Sequence, residues 1–369
     1  MHIERAELRL LRLPLVHPFE TSFGRETENR VVVVRLFADG LEGFGESAAG
    51  VGPWYSYETA ETCWSIQRDL LVPLLLAHGI DAPSDIPQLF ASVRGHPIAK
   101  TGIEEAVWDL CARREEHSLS AALGGTRERI ESGVSLGIQE SADRLLDRIE
   151  SFVEEGYRRV KLKIKPGWDH EVVERVRSRF PDLPLMVDAN AAYSLDDLPL
   201  LRALDRFDLM MIEQPLHYAD LLDHAKLQAA IETPLCLDES IASARHAAWA
   251  IELGSCRIVN IKPGRVGGLC EARAVHDLCQ EHGLPVWCGG LLESGIGRAH
   301  NVAVASLPNF SLPGDLSGSA RYYAEDLVDP PFALAGDGTM EVPVGAGIGV
   351  EVVERRLAEA TIRHEVFTA

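Results

Sequence analysis

The sequence predicts an α/β barrel of parallel strands, entered through an antiparallel α+β module. Two observations predict it. From Gly133 onward, short β-branched or apolar runs recur about every 25 residues, with amphipathic helical stretches between them. Before that point the chain first reads as strands and then as helices, and Gly124-Gly125 punctuates the change.

Taken in order, residues 7–15 and 31–37 read as strands, and Ala38-Asp39-Gly40 supplies the turn into Gly43-Phe44-Gly45-Glu46. Residues 21–29 read as a polar loop between them. Residues 58–78 and 101–116 read as helices; in the second, Ile103, Ala106, Val107 and Leu110 form one apolar stripe. Strands are then expected at 133–136, 160–164, 185–187, 209–212, 235–237, 257–261, 285–287 and 310–312, with amphipathic helices between them such as 141–155, 170–180, 221–231, 242–253 and 270–282. Strand, crossover helix and parallel strand make right-handed βαβ units. Eight strands and seven helices close most simply into a barrel; a doubly wound open sheet is the structural alternative. The segment 340–369 leaves the period and is expected to return to the N-terminal module. The expected division is therefore 1–125 with 340–369, and 126–339 for the barrel.

Composition bounds the function. The formal net charge of −20 would repel phosphate backbones, so a nucleic-acid partner is not expected. No apolar run reaches the roughly 20 residues a membrane helix needs, and the charged start Met1-His2-Ile3-Glu4-Arg5 does not resemble a signal peptide. Seven scattered cysteines without a C-x-x-C pair read as reduced thiols in a cytoplasmic protein. Nucleotide-loop, zinc-protease and nucleophile-elbow motifs do not occur, and Gly345-Ala346-Gly347-Ile348-Gly349 follows no βα unit.

The chemistry lies at strand ends. Asp188, Glu213 and Asp238 each close a predicted strand, spaced 25 residues apart. A barrel brings such residues side by side on its C-terminal rim. Three carboxylates there repel one another unless a cation sits among them, and all-oxygen ligation that leaves room for substrate suits Mg²⁺, with Mn²⁺ as a substitute. Each acid taken alone would read as a helix N-cap. Lys161 and Lys163 lie two apart on the second strand and so face one way, while Lys262 ends the sixth, across the barrel. A carboxylate substrate would then meet an amine on each face. Removing its α-proton creates a second negative charge, which a metal stabilises, provided a lysine's pKa falls from about 10.4 toward neutrality. Neighbouring cations are expected to push it down. Two opposed bases permit racemisation; one base with a leaving group gives dehydration.

At these residues the chain resembles the enolase superfamily, and within its muconate cycloisomerase-like branch the o-succinylbenzoate synthase / N-succinylamino acid racemase family. The resemblance is carried by Lys161-Leu162-Lys163, Val187-Asp188-Ala189-Asn190, Ile212-Glu213-Gln214-Pro215, Cys236-Leu237-Asp238-Glu239-Ser240, Asn260-Ile261-Lys262-Pro263-Gly264-Arg265 and Val286-Trp287-Cys288-Gly289-Gly290-Leu291-Leu292-Glu293-Ser294-Gly295. It implies a (β/α)7β barrel with an α+β cap formed by the N-terminal region and the C-terminal tail. It implies Mg²⁺ on Asp188, Glu213 and Asp238, with Asn190 and Glu239 orienting those ligands. Lys163 would be the base, supported by Lys161, and Lys262 the opposite-face partner. Two cap loops, 19–29 and 50–57, would close over a small-molecule carboxylate, with Phe19, Phe23, Trp54 and Tyr55 as an apolar lid. Ser135, Arg265, Gly290, Leu291 and Glu293 would join Phe19, Phe23 and Tyr55 around the substrate. Arg265 resembles members that racemise N-acylamino acids, and Ser294 departs from the threonine common in relatives. A homo-oligomer is also implied. Muconate cycloisomerase and dipeptide epimerase share this plan and remain alternatives, as does a barrel that binds metal without catalysis.

Overall fold

The computed structural model describes residues 1–22 and 24–369. Strands β1 (Arg5–Glu20), β2 (Arg25–Ala38) and β3 (Leu41–Ser47) form an antiparallel sheet, and the C-terminal strand Thr361–Thr368 adds to the free edge of β1. The polar loop expected over 21–29 is a correction. Phe19 pairs with Glu26 and Glu20 with Arg25, so both strands continue as the arms of a long hairpin. Polar side chains hid these strands, because a hairpin arm away from the core needs no apolar alternation.

The sheet is covered on both faces, and its alternation shows why. Val32, Val34 and Leu36 pack with Trp64, Leu71 and Val107 of the helical layer, whereas Val31 and Val33 join the larger core that runs into the barrel. The long helix Pro97–Arg114 carries three buried acids that bind neighbouring backbones. Glu104 accepts from Leu269 and Cys270 N–H at 2.7 and 2.8 Å, Glu105 from Glu46 N–H at 3.0 Å, and Asp109 from Phe44 and Ile348 N–H, each at 2.8 Å. Gly45 permits this approach, since a Cβ there would lie 2.1 Å from the Gly102 carbonyl oxygen.

Seven parallel strands follow in spatial order: β4 (Gly133–Leu136), β5 (Arg159–Lys163), β6 (Leu185–Asp188), β7 (Ile212–Glu213), β8 (Leu235–Leu237), β9 (Ile258–Ile261) and β10 (Val286–Cys288). Helices Ala142–Glu154, His170–Arg179, Leu222–Ala230, Ala244–Leu253, Leu269–Glu281 and Gly295–Ala305 lie between or after them. The eighth strand expected over 310–312 is reduced to isolated bridges, Phe310 to Val286 and Gly314 to Ser132. Pro308 and Pro313 donate no N–H there, so a continuous ladder cannot form. These two bridges still join β10 back toward β4, which gives a (β/α)7β barrel.

Period-two alternation fixes what enters the barrel. Val187, Ile212, Leu237, Val259 and Ile261 face the helices, while Met186, Met211, Cys236, Ile258 and Trp287 make an apolar plug inside. The next inward positions along the same strands are Asp188, Glu213, Asp238, Asn260 and Gly289. No helix among the described residues is long and apolar enough to cross a membrane.

Candidate active site

The parallel register sets the site. Lys163 pairs with Asp188 and Asp188 with Glu213, so three adjacent strands present these side chains at one level, while Ser135 and Lys161 pair one inward layer below. Asp238 and Lys262 each follow their strand by one residue. Asp188, Glu213, Asp238, Lys161, Lys163 and Lys262 are all buried.

Each carboxylate is neutralised by a lysine. Lys163 Nζ donates to Asp188 Oδ2 and to Asn190 Oδ1, each at 2.5 Å. Lys161 Nζ lies 2.9 Å from Glu213 Oε2, 3.2 Å from Asp188 Oδ2 and 2.6 Å from Asp315 Oδ2. Lys262 Nζ donates to Asp238 Oδ2 at 2.7 Å, and Asn260 donates to Glu213 Oε1 at 2.7 Å. Asn190 also donates to Glu239 at 3.0 Å, linking the two residues expected to orient the acids. Gly289 makes the crossing strand fit: a Cβ there would sit 2.4 Å from Asn260 Oδ1 and 2.6 Å from Lys262 Cε.

No three acid, histidine or cysteine side chains among the described residues are already spaced to enclose a metal ion. The lysine ammonium groups lie where neutralising charge is required, and Lys161 alone bridges two of the three acids. The donor set itself, three carboxylates on consecutive strands, has the chemistry of a hard divalent cation. Side-chain rotation of the acids away from the ammonium groups is what binding would demand.

Carboxylates set the electrostatics of two of the lysines. Burial pulls Lys161 down, but Asp315, Glu213 and Asp188 outweigh it and hold the amine well above its ordinary value. Burial likewise opposes Asp238 at Lys262, and the carboxylate wins, so that lysine is also raised. In direct contact with these two lysines, the carboxylates outweigh both burial and the neighbouring cations. For Asp188, Lys163 and Lys161 overcome burial and hold it below the usual range. Burial and then Asp188 push Glu213 up to about 7, and burial and then Asp238 push Glu239 up to about 8.

The mouth of the site lies between sheet and barrel. Phe19, Tyr55, Ser135, Gly290, Leu291 and Glu293 line it together with Lys161, Lys163, Asn190 and Lys262. Phe23 lies outside the described residues. Trp54 does not close this mouth; it is 61% exposed and borders a neighbouring groove. Tyr55 does more than cover: its hydroxyl donates to Asp238 Oδ1 at 2.8 Å, and Lys262 Nζ stands 4.3 Å from its ring centroid. Arg265 lies to one side. It is buried behind Asp238, donating to that carboxylate and to the Ile241 carbonyl, and does not line the substrate mouth. The short turn Pro263–Val266 folds the guanidinium back beneath β9.

Sequence reasoning missed Arg159 and Asp315. Arg159 shares the inward face of Lys161 and Lys163, and it donates to Asp315 Oδ1 at 2.7 Å. Its two-residue spacing from Lys161 could have revealed it. Asp315 sits three residues past the expected eighth strand, the same strand-end signal that marked the other acids.

Residues 6–124 match the family model for the mandelate racemase / muconate lactonizing enzyme N-terminal domain, and residues 144–356 match the enolase C-terminal domain-like model. The chain is 51% identical to an o-succinylbenzoate synthase of Geobacillus kaustophilus over 374 residues, covering 100% of both. It is 49% identical to an N-succinylamino acid racemase of Amycolatopsis sp over 362 residues, covering 98% of each. A solved enolase superfamily member from Listeria innocua superposes with a TM-score of 0.96 at 42% identity, over 100% of this chain and 99% of that one. With its sheet, its barrel and its whole length matched in this way, the chain belongs to the enolase superfamily, in the family of o-succinylbenzoate synthases and N-succinylamino acid racemases.

Proposed function

We propose that the protein abstracts the α-proton of a carboxylate substrate, acting as an o-succinylbenzoate synthase, an N-succinylamino acid racemase, or both. The reading rests chiefly on one observation: Lys163 on β5 and Lys262 after β9 approach from opposite sides of a barrel whose intervening strands end in three acids. Asp188, Glu213 and Asp238 would hold Mg²⁺ or Mn²⁺, with Asn190 and Glu239 orienting them. When bound, that ion supplies Lewis-acid stabilisation of charge developing on the substrate carboxylate.

Lys163 takes the proton in this scheme, with Lys161 beneath it fixing the position of Asp188. Lys262 enters protonated, so it can stabilise the new charge during dehydration or deliver a proton to the far face during racemisation. Relatives of nearly equal identity carry the two names, which favours both reactions over the muconate and dipeptide alternatives. Phe19, Tyr55, Ser135, Gly290, Leu291 and Glu293 would surround the substrate and exclude water. We further take 1–125 with 340–369 as the cap and 126–339 as the catalytic unit, in a cytoplasmic homo-oligomer that acts on small molecules.

The test uses the purified protein with Mg²⁺, the cyclohexadiene precursor of o-succinylbenzoate, and N-succinylphenylalanine. Turnover of at least one is expected, with loss of about 10²-fold or more in Lys163→Ala. Inactivity on both, together with no α-proton exchange from deuterated water, overturns the reading.

A further inference from the structure

A second cavity opens beside the site, where the β1–β2 hairpin meets the loop after β4. Ile138 N–H donates to the Glu20 carbonyl at 3.0 Å, which docks the hairpin on the barrel. Four guanidinium groups border this cavity: Arg25 from the hairpin, Arg144 and Arg148 from helix Ala142–Glu154, and Arg321 from the turn Ser319–Arg321. Arg144 and Arg148 lie one turn apart and so share a helix face. Arg148 and Arg321 flank one ring, their Cζ atoms 4.9 and 5.2 Å from the Phe152 centroid. Arg321 donates to the Ser135 carbonyl at 3.3 Å, while its Nε is buried with no partner.

These cations lack counter-charge. Among the described residues no carboxylate oxygen lies within 4.0 Å of any of the four, although Glu20 and Glu140 also border the cavity. Glu20 turns instead to Lys165, at 3.7 Å. In a chain with 56 acidic and 36 basic residues, four arginines without an ion-pair partner thus gather at one cavity. Burial and the Arg321 charge both push the Arg148 guanidinium down, as expected for like charges held together.

We propose that this cavity binds a phosphoryl-bearing anion, with inorganic phosphate as its smallest form, and that the bound anion clamps the hairpin to the barrel. Guanidinium forks from three separate elements suit the several oxygens and double charge of a phosphoryl group better than a single carboxylate. Occupancy reaches the active site by two short routes. Phe19 borders both cavities, and Arg321 holds the carbonyl of Ser135 in the substrate mouth. The binding claim does not depend on the reaction proposed above.

The experiment titrates full-length, Mg²⁺-saturated protein with sodium phosphate, and separately with sodium chloride at matched ionic strength. Binding is followed by calorimetry and by amide hydrogen exchange over residues 17–25. Saturable phosphate binding is expected, with slower exchange in the hairpin and no equivalent effect of chloride. Arg148→Gln combined with Arg321→Gln is expected to weaken binding at least tenfold. Arg144→Gln, on the exposed part of the helix, is expected to weaken it less and serves if the double variant does not fold. Phosphate binding that is unsaturable, matched by chloride, or unchanged in the folded variants overturns the proposal.

Discussion

Replacing Asp315 with asparagine tests whether the buried charge network beneath the site is as tightly coupled as its distances imply. Asp315 is 8% exposed and binds two cations at once, Arg159 at 2.7 Å and Lys161 at 2.6 Å. Lys161 would keep Glu213 and Asp188, so the stranded charge is Arg159, which is 1% exposed. Arg159 would retain only the Pro313 carbonyl at 2.9 Å and its position over the Trp287 ring, 5.1 Å from Cζ to centroid. Breaking a buried pair from one side costs about 3–5 kcal/mol, and the neutral hydrogen bond left to asparagine places Asp315→Asn near the lower end. At the usual entropy of unfolding per residue, a loss of about 3 kcal/mol lowers the melting temperature of a chain this long by about 4 °C. Thermal denaturation of Asp315→Asn, Arg159→Met and the double variant forms the cycle. If Arg159 is the stranded group, the double variant must be more stable than the sum of the single losses predicts. Strict additivity, or a loss below about 1 kcal/mol for Asp315→Asn, refutes this account of the network.

Three further outcomes follow from the same coordinates. Glu46 is buried, and burial raises its carboxyl to about 7 while it accepts N–H groups from Ser294 and Gly297. Its native pKa lies above the unfolded one, so the native state holds the extra proton and stability falls as pH rises from about 4.5 to 7, by about 3 kcal/mol in total. Glu46→Gln should flatten that part of the melting-temperature profile, and an unaltered slope counts against it. Gly289→Ala should reduce turnover at least tenfold while the fold survives, because its Cβ would push Lys262 Cε and Asn260 aside; full activity shows that the crossing is slack. Tyr55→Phe removes the hydroxyl bound to Asp238 and should weaken Mg²⁺ binding severalfold, measured by metal titration of activity. Unchanged metal affinity would leave Tyr55 as a wall of the cavity only.

The barrel and its rim were legible because both depend on short-range periodicity. Strand spacing near 25 residues located β4 to β10, and alternation within Val160-Lys161-Leu162-Lys163 told which lysines point inward. What escaped depended on partners distant in sequence. The hairpin arms around Phe19 and Glu26 are held by each other and by Ile138, so their polar composition read as loop. Arg159 escaped because an arginine entering an apolar plug has meaning only once Asp315, 156 residues later, is seen beside it. That Arg265 donates to Asp238 was not legible either, since the two lie 27 residues apart and sequence order does not say which face of a strand end a side chain takes.

The inward charges also explain how so acidic a protein can accept an anionic substrate. Arg159, Lys161, Lys163, Lys262 and Arg265 face Asp188, Glu213, Asp238, Glu239 and Asp315 inside or just above the barrel. Five cations thus meet five acids, and these ten side chains carry no net charge when all are ionised. Much of the net charge of −20 comes from exposed acids, which water and salt screen. Inside, any unit of charge acts at low dielectric, so a divalent cation would tip the balance to positive and an arriving carboxylate would offset part of that excess. Metal and substrate in this sense support each other: each alone shifts the charge of the cavity, and the two shifts have opposite sign.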